Sequence, residues 1–308
     1  MSDLNNNVPD DIDIFICCAS FEERCLVIPN FIEKKRIGKS LVCYNIDQDG
    51  KIPENKNFLL KQLPHSEEVK LHSDDPLYIT NSLTHVLTGL KNTEVHKIVI
   101  DTTTFTHEGL LILIKLTQAV LSTSSIHILY VGAESYSYNI TKPEEKWLTK
   151  GVAEVRTVMG FPGYFDYTQK NHLVVLFGFE VERTIKIIET FEPDVISIGL
   201  GSANYSINSN HYQINIERHE KLRQVYPLNT FEISLRNPFD CKDQILKQIA
   251  LFPNHNKIIA PLNNKLSTVG AALAHKFDSD IQLCYAKGNL YNREGYAKAS
   301  NKFYSFKI

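Results

Sequence analysis

The chain of 308 residues is long enough for about two domains of ~150 residues each. Its hydrophobic content of 43% and charged content of 22% are ordinary for a globular protein. The formal net charge of -2 excludes a surface that is basic throughout, so we expect no extended nucleic-acid interface. A local pocket for a small anion needs only a few donors and remains open.

The cysteine and histidine spacings argue against disulfides and metal sites. The six cysteines form no C-x-x-C pair, and four of them lie in or beside apolar strand-like runs, which predicts buried, reduced thiols. The eleven histidines show no metal-ligand spacing, so we expect no metal. The N-terminal segment lacks the apolar core of a signal peptide, and no apolar run reaches the ~20 residues of a membrane span. We therefore expect a cytoplasmic protein without membrane contact.

Apolar runs alternate with helical patterns along the first half, as in a parallel sheet covered by helices. The predicted strands cover residues 14–19, 40–45, 98–100 and 126–131, and the predicted helices run from Ser20 to about Ile32 and over residues 76–90 and 110–116. Ser20 and Glu23 have the spacing of a capping box. The polar composition of residues 1–12 predicts a disordered N-terminal segment, called the lead-in below. Residues 51–76 are polar, contain three prolines and predict an irregular segment.

A cluster of polar residues follows the strand at residues 98–100. It contains one carboxylate and four hydroxyls: Asp101, Thr102, Thr103, Thr104 and Thr106. Ligands bind at the carboxyl edge of open α/β sheets, and the N-terminus of a helix suits an anion. One threonine needs no explanation beyond an N-cap, but the cluster predicts contacts to ribose or phosphate oxygens. His107 and Glu108 follow directly and are either a candidate acid–base pair or ordinary first-turn residues.

The strand–helix pattern restarts in the second half. Predicted strands cover residues 173–177, 195–198, 257–260 and 281–285, and predicted helices cover residues 185–188, 243–251 and 268–275 before a polar, tyrosine-rich tail. Gly199, Gly201 and their neighbours approach a dinucleotide fingerprint, but Asn204 replaces its last glycine and no helix is predicted to follow. Residues 141–171 predict a joining segment that is a linker, an extra hairpin or a lid.

The second half repeats the first at a distance of about 160 residues. The matching segments are Glu23-Arg24 with Glu182-Arg183, residues 96–101 with residues 256–261, and Tyr130 with Tyr285. The predicted fold is α/β, with two tandem Rossmann-like, doubly wound halves related by an internal repeat. The alternative is that the match reflects only the shared strand–helix architecture. The predicted domains are a lead-in at 1–12, a first half at 13–140, a joining segment at 141–171 and a second half at 172–308.

Polar and aromatic residues at equivalent strand ends are the candidate ligand contacts. They are Ser20, Phe21, Arg24, Asp101, Thr102, Thr103, Thr104, Thr106, Phe179, Arg183, Asn263, Asn264 and Lys265. An arginine presents a planar fork of donors suited to phosphate, and aromatic rings stack on bases. Alternatively, each arginine is a surface residue on the first turn of its helix. This set predicts a small nucleotide ligand held between the two halves.

The strand–helix junctions resemble those of CARF-type Rossmann domains, and their tandem arrangement resembles SAVED domains, which are fused CARF-like pairs. The resemblance is carried by residues 101–106, by residues 263–267 leading into residues 270–274, and by the first-strand loops at 19–21 and 178–180. It implies binding of cyclic or linear oligonucleotide second messengers in a prokaryotic antiviral defence or stress system. Since no effector domain is visible, it also implies a separate effector or partner protein, and a homo-oligomer remains open.

Residues 13–24 also look like the opening of a TIR domain, and that resemblance implies an enzyme that cleaves NAD with a glutamate. An enzyme acting on a nucleotide N-glycosidic bond is therefore the first alternative, with Glu108, His107 or Glu22 as catalytic candidates. A protein-interaction scaffold with an empty cleft is the second alternative. The sequence leaves open whether the protein is an enzyme.

Overall fold

The computed structural model describes residues 8–47, 50–91, 95–207 and 209–308. The chain divides into two compact units. The first unit contains Met1–Ser135 and Ala297–Ile308, and the second contains Tyr136–Tyr296. Within the described ranges, no helix has both the length and the apolar character needed to cross a membrane.

The first unit consists of one β-sheet with α-helices packed against its faces. Its strands are β1 (Ile12–Ala19), β2 (Ile37–Asn45), β3 (Ser66–Leu71), β4 (Lys97–Asp101), β5 (Ser125–Tyr136) and, at the end of the chain, β12 (Ala297–Lys307). Its α-helices are α1 (Val27–Phe31), α2 (Ile52–Gln62), α3 (Pro76–Leu90) and α4 (His107–Val120). Short 3-10 helices at Glu23–Leu26 and Lys34–Arg36 flank α1.

The sheet of the first unit has the strand order β12-β5-β4-β1-β2-β3. The pairs β4/β5, β1/β4, β1/β2 and β2/β3 are parallel, which is the order of a doubly wound Rossmann sheet. β1 lies at the centre, and its residues 14–19 are all buried because helices cover both of its faces.

The second unit repeats this architecture. Its strands are β6 (Thr149–Thr157), β7 (Lys170–Leu176), β8 (Val195–Gly201), β9 (Asn229–Ile233), β10 (His255–Pro261) and β11 (Gln282–Tyr291). Its α-helices are α5 (Val181–Phe191), α6 (Ser209–Arg223), α7 (Pro238–Ile249) and α8 (Lys265–Phe277). The strand order is β6-β11-β10-β7-β8-β9, with only the β6/β11 pair antiparallel in the described part of this sheet.

The two sheets have the same order of five parallel strands, so the predicted α/β fold with two tandem Rossmann-like, doubly wound units related by an internal repeat is confirmed. Each unit adds a different sixth strand at the equivalent edge. In the first unit this strand is β12, beside β5, and in the second it is β6, beside β11. The carboxyl ends of β1 and β7 therefore occupy the same position in their sheets.

The boundaries of the units differ from the predicted ones. The predicted second half, 172–308, includes the tail that forms β12 and belongs to the first unit, and the predicted joining segment, 141–171, contains β6 and the start of β7. The reason is that the position of an edge strand depends on contacts with residues that are far away in the sequence. Phe303 on β12 stacks on Phe31, with 5.6 Å between ring centroids, and the sequence near Phe303 does not indicate this partner.

Two stretches that the sequence analysis left irregular are regular. Residues 51–76 contain α2 and β3, since Pro53 and Pro76 lie at helix N-termini, where proline is tolerated. A helix, α6, does follow the glycines at the end of β8, and β9 follows that helix.

The structure describes only part of the predicted lead-in. Residues 1–7 lie outside the described ranges. Residues next to them are held in place: Arg36 donates to the carbonyl oxygens of Val8, Pro9 and Asp10 at 2.6–3.0 Å, and Ile12 already belongs to β1.

Candidate functional site

The loop after β1, the central strand of the first unit, contains a buried ion pair between Arg24 and Glu22. Arg24 and Glu22 are both buried. The Nε and Nη2 atoms of Arg24 lie 2.7 and 2.6 Å from Glu22 Oε2, and its Nη1 donates to the carbonyl of Val131 at 3.3 Å. All three guanidinium nitrogens therefore have protein acceptors, so Arg24 braces this loop against β5.

Neighbouring contacts fix the same loop. Asn55 on α2 donates to the carbonyl of Ser20 at 2.7 Å, and the Ser20 hydroxyl accepts from the Glu22 N–H at 3.3 Å. Glu23 does not complete the predicted capping box, because its carboxylate pairs with Lys51 at 2.8 Å. The adjacent Phe21 is buried.

Asp101 ends β4 with a fully buried carboxyl group. Burial raises its pKa to about 7, although hydrogen bonds from Thr103 and the positive charge of Arg24 act in the opposite direction. Its Oδ1 accepts from the Thr103 N–H at 3.0 Å. The carboxyl group is thus held in a turn beside the Arg24 loop.

The threonine hydroxyls after β4 are bonded to the backbone. Thr102 donates to Leu129 O at 2.9 Å, Thr103 accepts from Val131 N–H at 3.1 Å and Thr104 donates to Cys18 O at 2.6 Å. Thr106 is the N-cap of α4 and accepts from the Gly109 N–H at 3.0 Å. The cluster joins the end of β4 to β5 and β1.

The catalytic candidates lie near these residues. His107 and Glu108 are the first two residues of α4, and both are buried. Glu22 is the partner of Arg24. Glu22 and Glu108 lie in the segments that follow the carboxyl ends of β1 and β4.

Arg183 is the counterpart of Arg24 in the second unit, and its bonding is different. It lies in the first turn of α5 and is 4% exposed. Its Nη1 is 4.0 Å from Glu180 Oε2, and its guanidinium carbon is 5.2 Å from the centroid of the Tyr285 ring. Its Nε and Nη2 are buried and have no hydrogen-bond partner among the described residues. Each such orphaned donor costs roughly 1–3 kcal/mol.

Glu180 is a weak partner for this guanidinium. Its carboxylate accepts a hydrogen bond from the Thr149 hydroxyl on β6. Burial raises the pKa of Glu180, while the nearby Arg183 lowers it. The carboxylate is therefore shared with Thr149 and leaves most of the Arg183 fork unused.

Phe179, the residue before Glu180, lies in an aromatic cluster. Its ring centroid is 5.4 Å from that of Tyr136 and 6.1 Å from that of His211, and the Arg218 guanidinium lies 5.0 Å from it. Arg218 also donates to the carbonyl of Phe179. His211 and Arg218 lie on α6, which the sequence pattern did not predict; the polar residues of this segment were the available signal.

The remaining candidates brace loops of the second unit. Asn263 donates to the carbonyl of Phe177. Asn264 caps α8 by accepting from the Ser267 N–H at 2.9 Å, and its amide donates to Leu235 O at 2.7 Å. Lys265 begins α8 and is half-buried. Arg183, by contrast, has two buried donor nitrogens without a partner among the described residues.

The structure also gathers three groups that could bind a metal, Asp47, His72 and Asp74, with ligand atoms within 4.8 Å of one another. They follow β2 and β3, so their spacing in the sequence gave no signal. Asp47 accepts hydrogen bonds from the N–H and the hydroxyl of Ser73, which already order this turn.

No family model and no curated protein matches this chain. Among solved structures, UDP-GlcNAc 2-epimerase from Neisseria meningitidis bound to UDP-GlcNAc is 12% identical, with 81% of this chain and 77% of that chain covered and a TM-score of 0.25. Isoflavone reductase is 12% identical, with 87% and 89% covered and a TM-score of 0.29. AtPrR2 with NADP+ and (+)pinoresinol is 11% identical, with 88% and 89% covered and a TM-score of 0.27. These likenesses are too low to support an argument, so the fold rests on the strand order.

Proposed function

We propose that the protein senses a nucleotide, whose phosphate binds Arg183 in the second unit. The observation that carries this proposal is a buried guanidinium with two unpartnered nitrogens in the described structure. A phosphate accepts parallel hydrogen bonds from such a fork and compensates its charge. The N-terminus of α5, where Arg183 lies, adds further attraction for an anion.

The surroundings suit the rest of a nucleotide. Phe179 and Tyr285 are aromatic residues near the same strand–helix junction, and aromatic rings favour contact with bases. The equivalent junction of the first unit is occupied by its own Glu22–Arg24 pair. The proposal therefore predicts one nucleotide bound per chain.

We further propose that the ligand is a cyclic or linear oligonucleotide. The protein would act in the cytoplasm, in a prokaryotic antiviral defence or stress system, together with a separate effector. The support for this proposal is the resemblance of residues 101–106 and 263–267 to CARF-type loops. The six cysteines are buried free thiols, which fits a reducing compartment.

The first experiment identifies the ligand. Small molecules released from the purified protein are analysed by mass spectrometry, and the protein is then titrated calorimetrically with AMP, NAD, cyclic di-AMP and cyclic tri-AMP. Binding of one nucleotide per chain without turnover supports the sensor. Release of nicotinamide from NAD would instead support the N-glycosidic enzyme, with Glu108 or Glu22 as acid–base, and Glu108→Gln would test that assignment.

The decisive variant is Arg183→Gln. Losing hydrogen bonds to a charged group costs about 1.5–3 kcal/mol, so nucleotide affinity should fall about 10- to 100-fold. Arg183→Lys keeps the charge but not the fork and should lie between wild type and Arg183→Gln. The exposed Arg223→Gln on α6 is the matched control. Unchanged affinity in a folded Arg183→Gln protein, shown by circular dichroism, contradicts the proposal.

A further inference from the structure

Helix α6 turns polar side chains towards the interior of the second unit. His211, Asn215 and His219 are buried, at a spacing of four residues that places them on one face. A helix face that buries polar groups normally satisfies them, and His219 does so by hydrogen bonding to the Thr230 hydroxyl at 3.0 Å.

Asn215 lies on α6 between two residues that contact the loop between β7 and α5. Its neighbours on the helix, His211 one turn before and Arg218 one turn after, both contact the ring of Phe179. Phe179 lies in the loop that leads to Arg183. The part of α6 that carries Asn215 therefore packs against the loop that leads to the proposed phosphate anchor.

Asn215 and Ser202 carry two further buried polar atoms that have no partner among the described residues. Asn215 is 5% exposed, and its Oδ1 has no hydrogen-bond partner among the described residues. The hydroxyl oxygen of the half-buried Ser202, which directly follows β8, is also buried and has no hydrogen-bond partner among the described residues. β8 is the parallel neighbour of β7, so the carboxyl ends of the two strands lie side by side.

The chemistry of these atoms complements that of Arg183. The guanidinium only donates hydrogen bonds, the Asn215 oxygen only accepts them, and the Ser202 hydroxyl does either. A ligand hydroxyl has the hydrogen-bonding capacity that both atoms need, since it donates to an amide oxygen and accepts from a serine hydroxyl. A ribose 2′-hydroxyl has this dual capacity and distinguishes RNA-type from DNA-type nucleotides.

We propose that Asn215 and Ser202 form a subsite for the ribose 2′-hydroxyl of the bound nucleotide, which makes the site selective for ribonucleotides. This inference rests on the proposed function, since Arg183 holds the phosphate of the same ligand. It adds a specificity that phosphate binding alone does not give.

The test compares AMP and cyclic di-AMP with their 2′-deoxy analogues by calorimetry. Wild type should prefer the ribonucleotide about 10-fold, since an unmatched buried polar group costs roughly 1–3 kcal/mol. In Asn215→Leu and Ser202→Ala the ribonucleotide should lose affinity until the preference falls below about 2-fold. Asn210→Leu, at an exposed position of the same helix, is the matched control and should keep the preference.

The outcomes separate the two proposals. If wild type binds ribo and deoxy forms equally and Arg183→Gln weakens both, the phosphate site stands and the 2′-hydroxyl subsite is overturned. Equal losses for both forms in Asn215→Leu also overturn it and assign the contact to the base. If neither nucleotide binds wild type, both proposals fail. Thermal unfolding of each variant shows whether the protein is folded.

Discussion

Arg24 and Arg183 follow the central strand of their units through similar short loops, but their guanidinium groups are bonded differently. In the first unit the arginine is two residues after Glu22, and in the second it is three residues after Glu180. The nitrogens of Arg24 reach Glu22 at 2.6–2.7 Å, whereas Arg183 approaches Glu180 only to 4.0 Å. The spacing between glutamate and arginine is thus one residue longer in the second unit, where the arginine keeps two donors without a partner among the described residues.

Asp101 gives a prediction at the residue scale. Its folded pKa of about 7 is above the ordinary 3.8, so the folded protein loses stability as pH rises from about 4 to 7, by roughly 1.4 kcal/mol per pKa unit. Asp101→Asn removes this loss. Its stability advantage over wild type should grow across this range and level off above pH 7.

Thermal unfolding at pH 4.5, 6 and 8 measures this advantage. The same substitution at the exposed Asp11 is the control. A difference between Asp101→Asn and wild type that does not change with pH would show that the Asp101 carboxyl is not held neutral by burial.

At the scale of elements, the end of the chain is part of the first sheet. β12 is the edge strand beside β5, where Ser300 donates to Gly132 O and the Ile308 N–H donates to Ile126 O, both at 2.9 Å. Ala299 and Phe303 pack against the core of this unit. The terminal strand therefore contributes buried apolar area as well as hydrogen bonds.

Phe303→Ala tests that contribution. The ring is half-buried and stacks on Phe31, so its removal should lower the free energy of unfolding by about 2 kcal/mol. Urea unfolding measures the change. Asn301→Ala, at an exposed position of the same strand, should have little effect. Equal stabilities of the two variants would count against a packed β12.

At the scale of the whole molecule, the second unit is one continuous segment, Tyr136–Tyr296, while the first unit is built from both ends of the chain. Each unit also carries its own buried titratable group. Asp101 ends β4 of the first unit, and His172 lies on β7 of the second, with its Nε2 2.7 Å from the Ser197 hydroxyl. Burial and the nearby His255 lower the pKa of His172 to about 4.

Acid should therefore loosen the second unit selectively. Because the folded pKa of His172 lies below the ordinary 6.5, its contribution is complete above pH 6.5 and is lost as pH falls towards 4. Hydrogen exchange at pH 5 and 7, corrected for intrinsic rates, should show lost protection in β7, β8 and β10. His172→Gln should reduce this acid effect, and His85→Gln on α3 of the first unit serves as control. Equal acid sensitivity in both variants would contradict the assignment.

The sequence alone determined the features that depend on near neighbours. Continuous apolar runs predicted the buried strands, and the repeated loop before Arg24 and Arg183 predicted two similar units. One threonine of the cluster was expected as an N-cap, and the structure shows that it is Thr106. These predictions succeed because strand burial and helix capping depend on residues that are close together in the sequence.

Only the tertiary structure decided which polar groups are used and which are left over. Arg24 finds the carbonyl of Val131, 107 residues away, and the threonine cluster bonds to strands that are distant in the chain. Arg183 and Asn215, by contrast, keep buried polar atoms without partners in the described structure. The reason is physical: a side chain's hydrogen-bonding capacity is fixed by its type, but its satisfaction depends on groups that folding brings near.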